Sequence, residues 1–342
     1  MKEGSRIKGN ITLKEIAKLA NISASAVSRA LNQKDGISEE TRQRIIRIAL
    51  ENNYRPNMLA RGMRGQRTNL IGIIVGDISR SFFTEFLGGA DEEARKESMT
   101  IIIGNANETL DTEKQTIETF LSYNCAGIVI CPVSDNIEVL KKLQNEKTNF
   151  VVFDRLFREE SGFNQVTIKN REAAFTAVEH LIQCGHRRIA YIVSKMYKST
   201  VMDRYLGYAQ ALNAHSLKVD KNIVKECASV ADAAQKTREI LSQDKKATAI
   251  FIADEAIALY VISTIIESGL KVPQDISAVI FGNPHWAAVF PPGFTCVKRP
   301  TGEMGKIAVR MLIQQIRNQT RGEHEIVELD SELIKRGSIR MM

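Results

Sequence analysis

The chain has 342 residues, which is too long for one ordinary hydrophobic core and predicts two or three domains. Its formal net charge of +7 is unevenly distributed: residues 1–69 carry a net +8 and the remainder a net −1. A small basic segment joined to a nearly neutral body is the charge distribution expected of nucleic-acid binding; the alternative is a solvated basic helix pair.

The first predicted element is a helix that begins after Thr12. Thr12 is a suitable N-cap, and Glu15, three residues later, completes a capping box. Ile16, Leu19 and Ala20 then recur at helical spacing. We therefore expect a short capped helix whose buried face is formed by these three residues.

A second helix follows the short turn at Asn21. Ser23 is its predicted N-cap, and Val27 and Leu31 supply its buried face. The residues that this pattern turns outward are Ala24, Ser25, Ser28 and Arg29. Small polar side chains and one arginine at the start of such a helix suit base edges in the major groove. Similar helix pairs also occur in helical domains that bind no DNA, so the pattern alone leaves both interpretations open.

A third helix is predicted over residues 38–53. Ser38 is its N-cap, and the acidic residues that follow favour the positive end of the helix dipole. Ile45, Ile48 and Ala49 form its inward face. We expect residues 1–54 to form a helix-turn-helix DNA-binding head.

Several motifs together resemble the LacI/GalR family of bacterial transcription repressors. They occur in the family's order from about residue 11 to residue 338, and include Val27-Ser28-Arg29, Tyr54-Arg55-Pro56-Asn57, Gly185-His186-Arg187-Arg188 and Val272-Pro273-Gln274-Asp275. The resemblance implies a homodimeric repressor that binds a palindromic DNA operator, performs no catalysis and responds to a small-molecule effector. It also implies further DNA contacts from Thr12, Ser23, Asn32, Tyr54, Asn57, Ala60 and Arg61.

Residues 55–69 join the head to the rest of the chain and carry a charge of +4 with no acidic residue. In the family this hinge forms a helix in the minor groove, where a leucine wedges into the central base step. Met63 stands at the matching position, and an apolar, flexible methionine can serve as such a wedge. The alternative is that the segment is a plain flexible linker.

From residue 70 the pattern alternates short apolar strands with helices, which predicts parallel sheets covered on both faces. Two such series predict a two-lobed α/β core like that of periplasmic binding proteins, with two doubly wound sheets. The resemblance places residues 70–168 and 300–326 in the first lobe, and residues 169–299 and 327–342 in the second. Ligands of such sheets bind beyond the carboxyl ends of the strands, here in the cleft between the lobes.

The candidate effector residues depart from the family's pattern. Aspartates common in the family are replaced by Lys169 and Gly282, which disfavours a neutral sugar. The candidate cations predict an anionic effector such as a sugar phosphate, a sugar acid or a nucleotide. The candidates are Arg80, Phe82, Phe83, Arg155, Lys169, Lys195, Arg204, Glu255 and Asn283. The alternatives are that several cations are surface charges, that Phe83 packs in the core, and that the cleft is vestigial and a protein co-regulator acts instead.

Other classes of protein find little support. The sequence contains no Gly-x-Ser-x-Gly motif, no phosphate-binding loop and no zinc-type His/Glu spacing, so no enzyme, cofactor or metal is predicted. The five cysteines show no Cys-x-x-Cys spacing, which fits a reducing cytoplasm. The first ten residues lack a signal-peptide core, and prolines interrupt the longest uncharged stretch, 276–297. A sugar-binding protein of the periplasmic type remains an alternative that the basic head disfavours. We expect a cytoplasmic protein associated with the nucleoid.

Overall fold

The computed structural model describes residues 11–31, 35–52, 54, 68–135, 137–157, 162–194, 198–318 and 324–342. The chain divides into two compact units, Met1–Thr68 (the head) and Asn69–Met342 (the core). No helix within the described ranges is long and apolar enough to cross a membrane. The predictions for Asn32, Asn57, Ala60, Arg61, Met63 and Lys195 fall outside the described residues.

The head contains three helices in its described part: α1 (Leu13–Ala20), α2 (Ala24–Leu31) and α3 (Glu39–Glu51). The predicted capping box is confirmed, because Thr12 Oγ1 accepts from the Glu15 amide and Glu15 accepts from the Thr12 amide. Ser38 caps α3 in the same way. One apolar cluster centred on Ile16, Val27 and Ile45 holds the three helices together.

The predicted buried face of α1 is wrong at one position. Leu19 is 54% exposed, whereas Ala17 is buried beside Ile16 and Ala20. Both positions lie near Ile16 on a helical wheel, but on opposite sides of it. The small Ala17 faces the neighbouring helices and allows them to approach, which turns Leu19 towards solvent.

The core is built on two sheets. The first has the strand order β11-β5-β4-β3-β1-β2 and is parallel, and the second has the order β12-β10-β9-β8-β6-β7, with β12 antiparallel to β10. The strands are β1 (Leu70–Val75), β2 (Thr100–Asn105), β3 (Gly127–Ile130), β4 (Phe150–Phe153), β5 (Asn164–Ile168), β6 (Ile189–Val193), β7 (Val224–Glu226), β8 (Ala249–Ile252), β9 (Ser277–Phe281), β10 (Thr295–Lys298), β11 (Ile326–Leu329) and β12 (Glu332–Ile334).

Helices cover both faces of each sheet, so the central strands are apolar throughout. The two-lobed α/β architecture expected from the sequence is thereby confirmed. The helices are α4 (Ser81–Lys96), α5 (Leu110–Ser122), α6 (Glu138–Asn145), α7 (Asn170–Gln183), α8 (Ser199–Ala214), α9 (Asp232–Leu241), α10 (Glu255–Glu267), α11 (Trp286–Val289) and α12 (Thr301–Asn318).

The chain passes between the two lobes at three places: after β5, after β10 and after β11. The last passage lies after Leu329, later than the expected boundary at residue 326, because β11 pairs with β5 of the first sheet. β11 has only four residues, and Glu328 interrupts its apolar run, so the sequence gave no continuous apolar stretch by which to recognise this strand. Lys169 links two passages, since its amide donates to Leu329 O and its Nζ lies 2.9 Å from Asp330.

Candidate DNA-contact surface and inter-lobe cleft

The outer face of α2 presents small polar groups on a fixed framework. Ser23 Oγ accepts from the Ala26 amide at 3.2 Å and lies 2.9 Å from Ser25 Oγ, so the start of the helix is capped as predicted. Ser25 and Arg29 are exposed, and Ala24 and Ser28 are half-buried. Because Val27 and Ala30 are fully buried on the opposite face, the rotation of α2 is fixed.

The other candidate DNA contacts of the head are also tied to its framework. Thr12 Oγ1 is 2.8 Å from Glu15 Oε2, so the hydroxyl belongs to the capping box. Tyr54 is half-buried against the apolar cluster of the head, and its amide donates to Ala49 O at 2.8 Å. The Arg29 side chain lies close to Gly36, which precedes α3: a Cβ at residue 36 would be 3.5 Å from a terminal nitrogen of Arg29. Gly36 itself has a left-handed φ of 84°.

In the core, polar side chains gather where the strands of both sheets end. Asp77 and Arg80 follow β1, Asp154 and Arg155 follow β4, and Glu255 follows β8 closely. The carboxyl ends of parallel strands meet at one edge of a sheet, and ligands of doubly wound folds bind there. These groups therefore define the candidate effector cleft.

Among the described residues, four pairs of polar residues make direct contacts between the lobes across this cleft. Ser81 Oγ donates to Glu255, and Lys198 pairs with Glu108. The Ser199 amide, at the start of α8, donates to Asp135 Oδ2 at 2.9 Å, and Arg155 donates to Thr200 Oγ1 at 3.0 Å. Each contact has one partner in either lobe, so together they link the lobes across the cleft.

Arg204 is a deeply buried cation, at 6% exposure, as is Arg155, at 3%. Burial first, and then the nearby Arg299, lower its pKa to about 10, which still leaves the guanidinium charged at neutral pH. It donates to Asn170 Oδ1 and to Ala253 O, both at 2.9 Å, and lies 4.1 Å from the ring centre of Phe281. The side chain is thus fixed between α7, β8 and β9 at the edge of the cleft.

The remaining predicted effector residues are distributed differently. Arg80 pairs with Asp77 and Glu108 inside the cleft, but Lys169 extends to Asp330 between β11 and β12. Asn283 accepts from Arg336, a residue of the C-terminal segment. Lys169 and Asn283 are therefore not among the residues that make the four contacts across the cleft.

The two adjacent phenylalanines, Phe82 and Phe83, belong to a buried apolar cluster of the core. Phe83 is 4% exposed and contacts Phe153 edge to face, as the core interpretation of this residue expects. Phe82 is also buried, and the Arg299 guanidinium carbon lies 4.5 Å from its ring centre. The ring face of Phe82 is therefore already covered by a cation.

Several residues of the cleft were not recognised from the sequence. Asp254 is half-buried; its burial raises its pKa, but Arg80, Ser194 and Arg204 outweigh that effect and lower it. The others are Glu108, Asp135, Lys198 and Arg299. Their position just after strands was a usable signal, but Glu108, Asp135 and Lys198 have their partners in the other lobe. Arg299 pairs with Glu255 of its own lobe and lies over Phe82 of the other. Within the described ranges, every cation of this cluster contacts a carboxylate, a carbonyl or a hydroxyl group.

A helix-turn-helix head and a two-lobed α/β core together define the class of DNA-binding transcriptional regulators. Residues 12–57 match the family described as bacterial regulatory proteins, lacI family, and residues 178–339 match a periplasmic binding protein-like domain. No group of His, Cys, Asp and Glu residues suited to a metal ion occurs in the described part of the chain.

Known proteins resemble the chain over nearly its full length. The HTH-type transcriptional regulator RegA of Clostridium saccharobutylicum is 31% identical, over 96% of this chain and 98% of RegA. The HTH-type transcriptional repressor PurR of Aliivibrio fischeri is 30% identical, over 96% and 98%. The lac repressor dimer bound to operator and the anti-inducer ONPF has the same fold, with a TM-score of 0.86 at 22% identity over 97% and 100%.

The chain belongs to the LacI family of bacterial transcriptional regulators. It is a transcriptional repressor with an N-terminal DNA-binding domain, and it is not an enzyme.

Proposed function

We propose that this repressor acts as a homodimer on a palindromic operator in the cytoplasm, and that a small molecule in the inter-lobe cleft controls it. The observation that carries the proposal is the combination of a rigidly capped α2 with a polar cluster joining two lobes. The first would bind DNA and the second would respond to a ligand. Proteins of similar fold include a CelR–cellobiose complex, at 24% identity and a TM-score of 0.74 over 96% of this chain and 99% of that one.

For DNA recognition, the proposal assigns base contacts to the exposed start of α2. Arg29 is suited to a guanine, because a guanidinium can donate two parallel hydrogen bonds to O6 and N7. Ala24, Ser25 and Ser28 are small and would contribute through a thymine methyl group or water. Thr12, Ser23, Asn32, Tyr54 and Asn57 would position the head on the backbone.

The hinge would supply a second DNA contact through Ala60, Arg61 and Met63. If Met63 wedges between base pairs, Met63→Ala should lower operator affinity much more than affinity for random DNA, and should reduce DNA bending. Gel-shift assays on both DNAs measure this. Equal losses on operator and random DNA would show that Met63 does not intercalate.

For dimerisation, the proposal rests on exposed apolar side chains of the core. Leu259 and Tyr260 of α10 and Val289 of α11 are 54%, 47% and 80% exposed, and Ile103 lies on the edge strand β2. An exposed edge strand and a set of large apolar side chains are typical of protein interfaces. A second copy of the chain would cover them. Val289→Glu should shift sedimentation from dimer to monomer, and an unchanged dimer would exclude this surface.

For the effector, we propose an anionic small molecule such as a sugar phosphate, a sugar acid or a nucleotide. Arg80, Arg155, Arg204 and Arg299 lie within or beside the cleft, although each already contacts a group of the protein. An effector must therefore exchange with internal partners rather than fill a bare basic pocket. A ligand bound only to the folded state stabilises it by about 2.7 kcal/mol at a hundredfold excess over its Kd.

A thermal-shift screen of the core, residues 70–342, tests the effector class. We expect an anionic compound to stabilise the core, and Arg204→Ala to remove that shift. Stabilisation by a neutral sugar alone would contradict the anionic assignment. If no compound binds, the four direct contacts across the cleft favour the alternative that a protein co-regulator controls the dimer.

A further inference from the structure

At the start of α4, the hydroxyl group of Ser81 contacts a carboxylate of the other lobe. Arg80 occupies the N-cap position and its side chain makes no capping hydrogen bond. The first turn of a helix has unpaired amides and a partial positive charge, so it favours an anion. Ser81, the first residue of α4, donates its hydroxyl proton to Glu255 of the second lobe.

Both carboxylate oxygens of Glu255 are used. Oε1 accepts from Ser81, and Oε2 accepts from an Arg299 terminal nitrogen at 2.8 Å. The side chains of Glu255 and Arg299 are only 15% and 10% exposed, and Arg299 is braced against the Phe82 ring. A hydroxyl, a guanidinium and a helix N-terminus are the groups that bind a carboxylate or phosphate ligand.

Gly282 provides the space in which the Glu255 side chain lies. A Cβ at residue 282 would be 2.2 Å from Glu255 Oε2 and 2.6 Å from Glu255 Cβ, closer than real atoms approach. The φ of Gly282 is 127°, which other residues rarely adopt. A side chain at this position, such as the aspartate usual in the family, would expel Glu255 from its present place.

We propose that Glu255 is a built-in anionic ligand: it occupies an oxyanion subsite formed by Ser81, Arg299 and the start of α4, and it links the lobes in the absence of an effector. The proposal rests on the proposed function in placing the effector in this cleft. An effector that carries a carboxylate or phosphate group would displace Glu255 and take over Ser81 and Arg299. The Lys198–Glu108 pair is a separate link that does not use this subsite.

The Glu255 carboxylate has an advantage over a free anion in binding to this subsite. Because it is part of the chain, its effective concentration at the subsite is high. A simple anion should therefore bind weakly to the unmodified protein. Removal of the Glu255 carboxylate should leave its two hydrogen-bond donors, Ser81 and Arg299, available to a free anion.

The test measures binding of inorganic phosphate to the full-length protein by calorimetry, at constant ionic strength. Glu255→Ala should bind phosphate at least about tenfold more tightly than the unmodified protein, since hydrogen bonds to charged groups are strong. The double variant Glu255→Ala/Arg299→Met should lose this gain. A parallel titration with acetate distinguishes a general oxyanion subsite, which binds both anions, from one that prefers phosphate.

Glu118→Ala is the matched control. It removes a carboxylate that pairs with Lys142 on the exposed surface of the first lobe, so the change in net charge is the same. An equal gain in this variant, or no gain in Glu255→Ala, would overturn the proposal.

Gly282→Ala provides a second route, because its Cβ would displace Glu255 without removing any charge. If Glu255→Ala does not fold, Gly282→Ala must show the gain, and a failure of both variants to bind phosphate overturns the inference. A gain in phosphate binding without any response of DNA binding to small molecules would instead contradict only the proposed effector control.

Discussion

The head and the core differ in how far apart in the sequence their polar partners lie. In the head, Thr12 bonds Glu15, Ser23 bonds Ala26, and Ser38 bonds Thr41, each three residues away. In the core, Ser81 and Glu255 are 174 residues apart, and Glu108 and Lys198 are 90 apart. Contacts within one helical turn follow from spacing, whereas contacts across a cleft depend on the whole topology.

The largest expected effect concerns the outer face of α2, which the local contacts of the head hold in place. Arg29→Ala should weaken operator binding by about 1–3 kcal/mol per half-site and relax the preference at one base pair, because the guanidinium can pair with one guanine edge. Selection of binding sites from a random DNA pool measures the preference. Arg44→Ala, which removes another exposed cation of the head, should leave it unchanged. The same selected sequences for Arg29→Ala and the unmodified protein would contradict the assignment.

A change at one close approach in the core should be nearly as large. A Cβ at Gly89 of α4 would lie 1.9 Å from the carbonyl oxygen of Gly302 in α12, so Gly89→Ala should cost about 1–3 kcal/mol of unfolding free energy. The neighbouring Gly88 has no atom within 4 Å of its Cβ position. Gly88→Ala should therefore stabilise α4 by up to about 1 kcal/mol. Urea unfolding of both variants measures this difference, and equal effects would refute the importance of the α4–α12 contact.

A smaller effect is expected from the capping box. Thr12→Ala removes the acceptor for the Glu15 amide and should cost about 1 kcal/mol, whereas Thr12→Ser should retain most of it. Hydrogen exchange of the α1 amides in the full chain measures the loss. Because the contact is local, protection in β1 should not change. Reduced protection in both units would show that the two are energetically coupled.

The smallest effect concerns a half-buried long-range ion pair. Asp220 lies 2.6 Å from a terminal nitrogen of Arg188, whose hydrogen bond lowers the pKa of that carboxyl. A lowered pKa means that the ionised group stabilises the fold above its ordinary pKa of about 3.9, and that this is lost as pH falls through the lower value. Asp220→Asn should cost about 0.2–1 kcal/mol at pH 7 and nothing at the acidic end. A cost independent of pH would indicate a loss of packing instead.

The sequence predicts correctly those features that depend on residues within a single helix or strand. The caps of α1, α2 and α3 and the apolar runs of β1, β6 and β9 could be recognised in short windows. The polar strands β5 and β10 could not, since their burial comes from neighbours far along the chain, nor could β7, which has only three residues and is not buried. Leu19 and Ala17 show the limit even in a helix, because spacing does not determine which side the partner helices cover.

In the cleft, the sequence predicted residue types but not their partners. Arg204 was recognised as a cleft arginine, but its bonds to Asn170 and Ala253 depend on how α8 packs against α7 and β8. The replacement at residue 282 was visible as a lost aspartate. That Glu255 fills the vacated space could be seen only in three dimensions.

The three passages of the chain between the lobes determine the order in which the parts can be completed during synthesis. The head leaves the ribosome first, and its three helices need no later residue within the described part. The first lobe must wait: β11 at its edge and α12 on its face come after nearly all of the second lobe. Until residue 318 has emerged, the surface that receives α12 is uncovered, and β5 lacks its partner strand until residue 329 has emerged. We therefore expect chaperones to bind this chain at the stage of synthesis when the first lobe is still incomplete.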